Sequence, residues 1–185
     1  MSTKEYGADI PIVFRRVKPE DIDKLCLFDC GNRSINHFIK NECLNTSESV
    51  TYLFVNENND EIIGFCSLCC TGILLKDDGI QINTYSHYPS IEIDYFAVAE
   101  KYRSMPYEES STRYETLSNV LFQQVIKYIE SISRKYVGAT HICLYSVPRA
   151  FNFYKRNGFL EFEPYMQRDK KTYIKNCIPM FFVVN

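Results

Sequence analysis

No run of apolar residues in this 185-residue chain approaches the roughly 18 that a membrane span requires. No apolar core follows the charge in Met1-Ser2-Thr3-Lys4-Glu5, so the start does not read as a signal peptide, and a cytoplasmic location without membrane contact is the expectation. There is no internal repeat and no low-complexity tract. Neither charge sign dominates: the formal net charge is −2, without the basic footprint of a duplex nucleic-acid binder. Disorder is also not expected, because hydrophobic residues make up 45% and charged residues 24%. The length suits one domain, taken as 1–185.

The eight cysteines lack a regular spacing. Cys66-x-x-Cys69 has the pitch of a zinc or redox pair, but no second Cys or His pair stands at ligand distance. Gly64–Cys70 reads instead as a strand in which cysteine serves as a small hydrophobe, so no metal site is expected. His37, His87 and His141 are dispersed and read as structural or exposed.

Ile12–Val17 reads as a first strand. Pro19-Glu20-Asp21 opens a helix to about Phe28, with proline in the first turn and acids at the positive end of the helix dipole. After Gly31, Ile35, Phe38, Ile39 and Cys43 recur at helical spacing. Val50–Val55 and Glu61–Leu68 flank the polar turn Asn56–Asp60 as an antiparallel hairpin. Lys76–Ser90 reads as a long surface loop and Ile91–Val98 as the next strand. Ala99–Glu115 is irregular. Thr116 to about Tyr136 carries the strongest helical stripe, through Leu117, Val120, Leu121, Val125, Tyr128, Ile129 and Ile132. His141–Ser146 is a strand, Pro148–Arg156 a short helix ended by Asn157-Gly158, and Phe159–Phe162 and Ile178–Val184 are the final strands. The order β-α-α-β-β-β-α-β-α-β-β predicts an α/β (α+β) domain with helices on a largely antiparallel sheet.

Three stretches resemble GNAT acyltransferases. Ala150-Phe151-Asn152-Phe153-Tyr154-Lys155-Arg156-Asn157-Gly158-Phe159 resembles the family's A-x-x-F-Y-x-x-x-G-F signature. Glu92–Val98, a loop and a long helix resemble its acetyl-CoA-binding β-loop-α. Phe28–Ile39 is similar to the F-x-C-G-x-x-x-L-x-x-F-L stretch of the subgroup that includes toxin-type acetyltransferases. The resemblance implies a mixed, mostly antiparallel sheet of six to seven strands with about four helices, splayed between its fourth and fifth strands. Pantetheine amides would pair there with the backbone of Phe96, Ala97 and Val98. The Val98 N–H would hold the thioester oxygen.

The pyrophosphate would meet a helix N-terminus, where dipole and unpartnered N–H groups favour anions. The family's R/Q-x-x-G-x-G/A loop fits this chain in two registers. One begins at Arg103. The other, preferred because it keeps the spacing to Val120-Leu121, runs from Arg113 to Ser118 and makes Arg103–Thr112 an insertion. It puts Thr116 and Ser118 where glycines usually stand, with Leu117 and Asn119 as neighbours in the cradle. Asn152 is a further cofactor contact. By the resemblance, Tyr154 would protonate the leaving thiolate and Glu92 would act as general base, Asp94 being the lesser candidate on the same strand face.

The implied activity is acetyl transfer from acetyl-CoA to a primary amine of a small molecule or protein. Alternatives are a non-catalytic GNAT-like binding or regulatory module, motivated by the missing glycines, and a toxin-type enzyme acting on aminoacyl-tRNA. The net charge counts against a tRNA partner. Assembly as a homodimer is compatible with this reading.

Overall fold

The computed structural model describes residues 10–76, 85–107, 115–162 and 177–184. Among the described residues, nine strands and four α-helices follow one another: β1 (Ile12–Arg16), α1 (Ile22–Leu27), α2 (Arg33–Asn41), β2 (Val50–Asn56), β3 (Glu61–Lys76), β4 (Tyr85–Val98), β5 (Pro106–Tyr107), β6 (Glu115–Thr116), α3 (Leu117–Ile132), β7 (His141–Ser146), α4 (Phe151–Arg156), β8 (Leu160–Glu161) and β9 (Ile178–Val183). Seven strands form one sheet in the order β1-β2-β3-β4-β7-β9-β8, and β5 and β6 form a separate two-stranded ribbon. In the sheet, β4 and β7 run parallel, whereas the β1–β2, β7–β9 and β8–β9 pairs are antiparallel. This is the mixed, mostly antiparallel α/β architecture that the order of elements predicts. No helix among the described residues is long and apolar enough to cross a membrane.

The chain divides into two compact units. The first comprises Met1–Ser67 and Tyr95–Val125, the second Leu68–Asp94 and Ile126–Asn185.

In the first unit, Asn32 caps α2 by accepting the N–H groups of Ser34 and Ile35, two of the donors that a helix start leaves unmatched. This orients Phe38 inward. Its ring stacks on Tyr95 at 4.0 Å and meets Phe65 at 6.2 Å, while Phe28 meets Phe65 edge-on at 5.4 Å. Ahead of α1, Asp21 is buried at the end of a 3-10 turn. Its carboxylate accepts both arms of Arg15, at 2.8 and 2.6 Å, and the Lys18 N–H at 2.9 Å. The Arg15 hydrogen bond holds the Asp21 carboxyl below its ordinary range, with burial opposing. Cys66 is fully buried, and burial pushes its thiol up, as suits a small apolar side chain.

In the second unit, Ile73, Cys143 and Phe162 form a core with Tyr88 and Phe181. α4 ends in a left-handed glycine: Gly158 has φ +87, its N–H reaches Lys155 O, and the Phe159 N–H returns to Tyr154 O. That closure swings Phe159 back into the core, 6.1 Å from the Tyr154 ring and 5.5 Å from Phe182.

Three sequence expectations need correction. β3 continues past Leu68 to Lys76, and β4 begins at Tyr85, so Tyr85–Ser90 is strand rather than loop; 77–84 lie outside the described residues. The supposedly irregular Ala99–Glu115 contains a turn at 100–104 and the first strand of the β5–β6 ribbon. The α-helical part of the long helix ends at Ile132 and closes through a π turn, Ser133–Val137, onto left-handed Gly138.

Candidate functional site

The first unit brings together the strand end and the helix start assigned to an acyl carrier. At the end of β4, the Ala99 N–H donates to Ile63 O on β3 at 2.8 Å. Successive residues of a strand direct their N–H and C=O groups to alternate edges. Ala99 and Ala97 therefore face β3, and Phe96 and Val98 direct their backbone groups to the opposite edge. Consistently, the Ala97 carbonyl oxygen lies against Gly64 of β3. The Ala97 backbone is thus directed to β3 rather than to the opposite edge. Ala97 and Val98 are buried, and the Phe96 ring meets Phe122 of α3 at 5.0 Å.

At the helix start, Met105 and Arg103 meet the first turn of α3. The Leu117 N–H donates to Met105 O at 2.9 Å, and the Ser118 hydroxyl donates to Arg103 O at 2.7 Å. Pro106-Tyr107 pairs with Glu115-Thr116. Arg103 adjoins the first turn of α3 through the Ser118 hydroxyl. The Arg103 guanidinium donates in turn to Cys30 O in the loop between α1 and α2. The Leu117 amide is engaged by Met105, whereas Thr116 stands at the non-hydrogen-bonded position of the β5–β6 pair, with its N–H directed away from β5. Arg113 lies outside the described residues. Ser118 is buried and Asn119 half-buried in the first turn of α3, whose N–H groups have no acceptor within the helix itself.

The second unit carries the expected acid and base. Glu92 is 5% exposed and stands opposite Cys143 in the parallel β4–β7 register. Asp94, two residues on, is half-buried. Tyr154 is 9% exposed on α4, its ring edge-on to Phe153 at 5.2 Å. Burial raises its phenol above the ordinary value of 10.0, so it is a neutral hydroxyl at physiological pH. Asn152 is exposed on α4. His141 packs against Tyr88 and Phe181, and burial lowers its imidazole; His37 and His87 are exposed.

Sequence reasoning missed the stitching of Arg103 and Met105 to the helix start. The one available signal was the first register, which set Arg103 directly after Glu100-Lys101-Tyr102.

No protein-family model matches the chain, and no curated protein matches it by sequence. Solved structures do match, and they show the fold. A Tyr-to-Phe mutant of the AtaT toxin superposes with a TM-score of 0.70 at 16% identity, over 97% of this chain and 93% of that one. AtaTR bound with AcCoA gives 0.68 at 18% identity, over 96% and 95%. A GNAT-family acetyltransferase from Staphylococcus aureus Mu50 gives 0.57 at 15% identity, over 95% and 100%. The fold is that of the GNAT acetyltransferases, and its structural neighbours include a toxin-type member.

Proposed function

We propose that this chain is a single-domain, acetyl-CoA-dependent N-acetyltransferase that acts on a primary amine. The observation that carries the reading is the strand edge at Phe96 and Val98, directed away from β3 and followed by the first turn of α3. An apolar strand end with outward backbone groups suits an amide-rich pantetheine, and a helix start suits its pyrophosphate. The AcCoA bound in the AtaTR structure supports the same choice of donor.

Acetyl-CoA, when bound, would supply a thioester carbonyl to the amine. Phe96 and Val98 would pair with the donor's amides, with the Val98 N–H on the carbonyl oxygen. The Ser118 and Asn119 amides, beside Arg103, would receive the phosphates, and Asn152 would add a contact. Glu92 would take the amine proton, directly or through water, as the C–N bond forms. Tyr154 would give its proton to the sulfur as the C–S bond breaks. Burial raises its phenol, so it would serve as an undissociated proton donor. The proton taken up at Glu92 balances the one given up at Tyr154.

Thiol release from acetyl-CoA, followed with a panel of primary amines, tests the reading. Tyr154→Phe should lower turnover by about 100-fold with acetyl-CoA affinity unchanged. Unchanged turnover removes Tyr154 from the mechanism. A toxin-type enzyme acting on aminoacyl-tRNA is the second reading, favoured by the higher TM-scores of the toxin structures, 0.70 and 0.68 against 0.57. Acetylation of aminoacyl-tRNA in preference to lysine peptides and small amines would establish it.

A further inference from the structure

The hydrogen bonds of the loop between α1 and α2 converge on one side chain, that of Asn36 on α2. Its Oδ1 accepts the Cys30 N–H at 3.0 Å and the Cys30 thiol at 3.1 Å. Its Nδ2 donates to the Asp29 carboxylate at 2.7 Å. A main-chain N–H only donates and an ionised carboxylate only accepts, so these partners fix which way the amide faces. Aspartate at this place would have no donor for Asp29, and alanine would have neither group. The same Asp29 oxygen accepts the Gly31 N–H at 2.7 Å. The Gly31 N–H first, then the Asn36 amide and, more weakly, the Lys40 charge hold the Asp29 carboxyl below its ordinary range. It is therefore an acceptor at neutral pH, and the turn Asp29-Cys30-Gly31 is held in one conformation.

The chain that follows β4 docks on this turn. The Glu100 N–H donates to Asp29 O at 3.0 Å, and the Arg103 guanidinium donates to Cys30 O. Arg103 is half-buried, and among the described residues Cys30 O is the acceptor its guanidinium meets. A guanidinium carries several N–H donors, so this anchor leaves others for a ligand. From Arg103 the path continues to α3. The Arg103 carbonyl accepts the Ser118 hydroxyl at 2.7 Å, and Met105 O accepts the Leu117 N–H at 2.9 Å. Asn36, Cys30, Arg103 and Ser118 thus form a hydrogen-bonded series that ends in the first turn of α3.

We propose that Asn36 is a positioning residue of the acyl-carrier site: it sets the Cys30 carbonyl, which holds the Arg103 guanidinium beside the first turn of α3 for the donor's phosphates. The inference rests on the reading of that turn as the phosphate site. Asn36 acts through Cys30 and Arg103 and needs no contact with the donor. The gain is preorganisation. A guanidinium already fixed on a carbonyl loses little further freedom when a phosphate binds, whereas a free arginine must be ordered by its ligand.

Calorimetric titration of acetyl-CoA into wild type, Asn36→Ala, Arg103→Ala and the double variant tests the inference. Failure of wild type to bind would remove the acyl-carrier reading, and this inference with it. Given wild-type binding, Asn36→Ala should weaken affinity about tenfold, the scale of one hydrogen bond to a charged group. In the Arg103→Ala background the same substitution should change affinity by less than about twofold, because the group it positions is gone. A merely structural asparagine would cost the same in both backgrounds. Alanine suits a helix interior, and circular dichroism checks the fold. Asn36→Ser, carried through the same cycle, is a second variant with the same expectation. Wild-type affinity in the Asn36 variants, or equal losses in the two backgrounds, overturns the inference while leaving acetyl-CoA binding established.

Discussion

Replacing Gly64 by alanine probes the strand on which the proposed acyl site rests. A Cβ at this position would stand 2.7 Å from the Ala97 carbonyl oxygen, against 3.4 Å for ordinary contact. The obstacle is backbone, so the end of β4 must move by about 0.7 Å to restore that contact. Overpacking of this kind costs about 1–3 kcal/mol, and the loss of glycine's unfolded-state freedom returns only about 0.4–1 kcal/mol. The net expectation is a loss of about 1–2 kcal/mol, or a melting temperature lower by about 2–8 °C in a chain of this size. The same shift tilts the Phe96 and Val98 backbone, so acetyl-CoA affinity should fall in the folded variant. Gly72→Ala is the control. Its Cβ would come within 2.2 Å of His87, but the atom it meets is the ring tip of an exposed side chain that can turn away. Its melting temperature should stay within about 2 °C of wild type. Thermal unfolding followed by circular dichroism compares the two. A Gly64→Ala protein as stable as Gly72→Ala would refute the close approach of β3 to Ala97.

Tyr154→Phe, already described, separates proton donation from cofactor binding. Asp21→Asn should destabilise the chain by about 2–3 kcal/mol, since it leaves Arg15 without its buried bidentate partner; urea unfolding measures this. The Asp21 carboxyl is lowered in the fold, so its contribution is present above the unfolded value of about 3.8 and disappears as pH falls through the folded value. Acid unfolding of the Asn variant should accordingly show a shallower dependence on pH in that window.

Local chemistry made much of the fold readable. The Asn32 cap, the turn Asn56–Asp60 and the glycine closing α4 each act within a few residues, so their types alone indicate them. The strand extensions were less readable because tertiary pairing overrides composition. Pro89, the neighbouring serines and His87 read as loop formers, yet Ser90 lies opposite His141 in the β4–β7 register. Gly72, within β3, gives room to the His87 ring. The helix start was hardest. Arg103 and Ser118 are fifteen residues apart and meet through a hydrogen bond that spacing cannot reveal. A register judged by distance to the apolar helix face therefore chose Arg113, which lies outside the described residues, and did not anticipate the contact of Arg103 with α3. The signature around Tyr154 places a tyrosine on α4, and only the structure shows that it is buried and its phenol held neutral.

Titration of acetyl-CoA into the purified chain by calorimetry tests the acyl-carrier site most directly. One equivalent should bind with a dissociation constant below about 100 µM, and Arg103→Ala should weaken it. No heat of binding with millimolar acetyl-CoA, under conditions where the chain is folded, would contradict the site at the end of β4 and the start of α3.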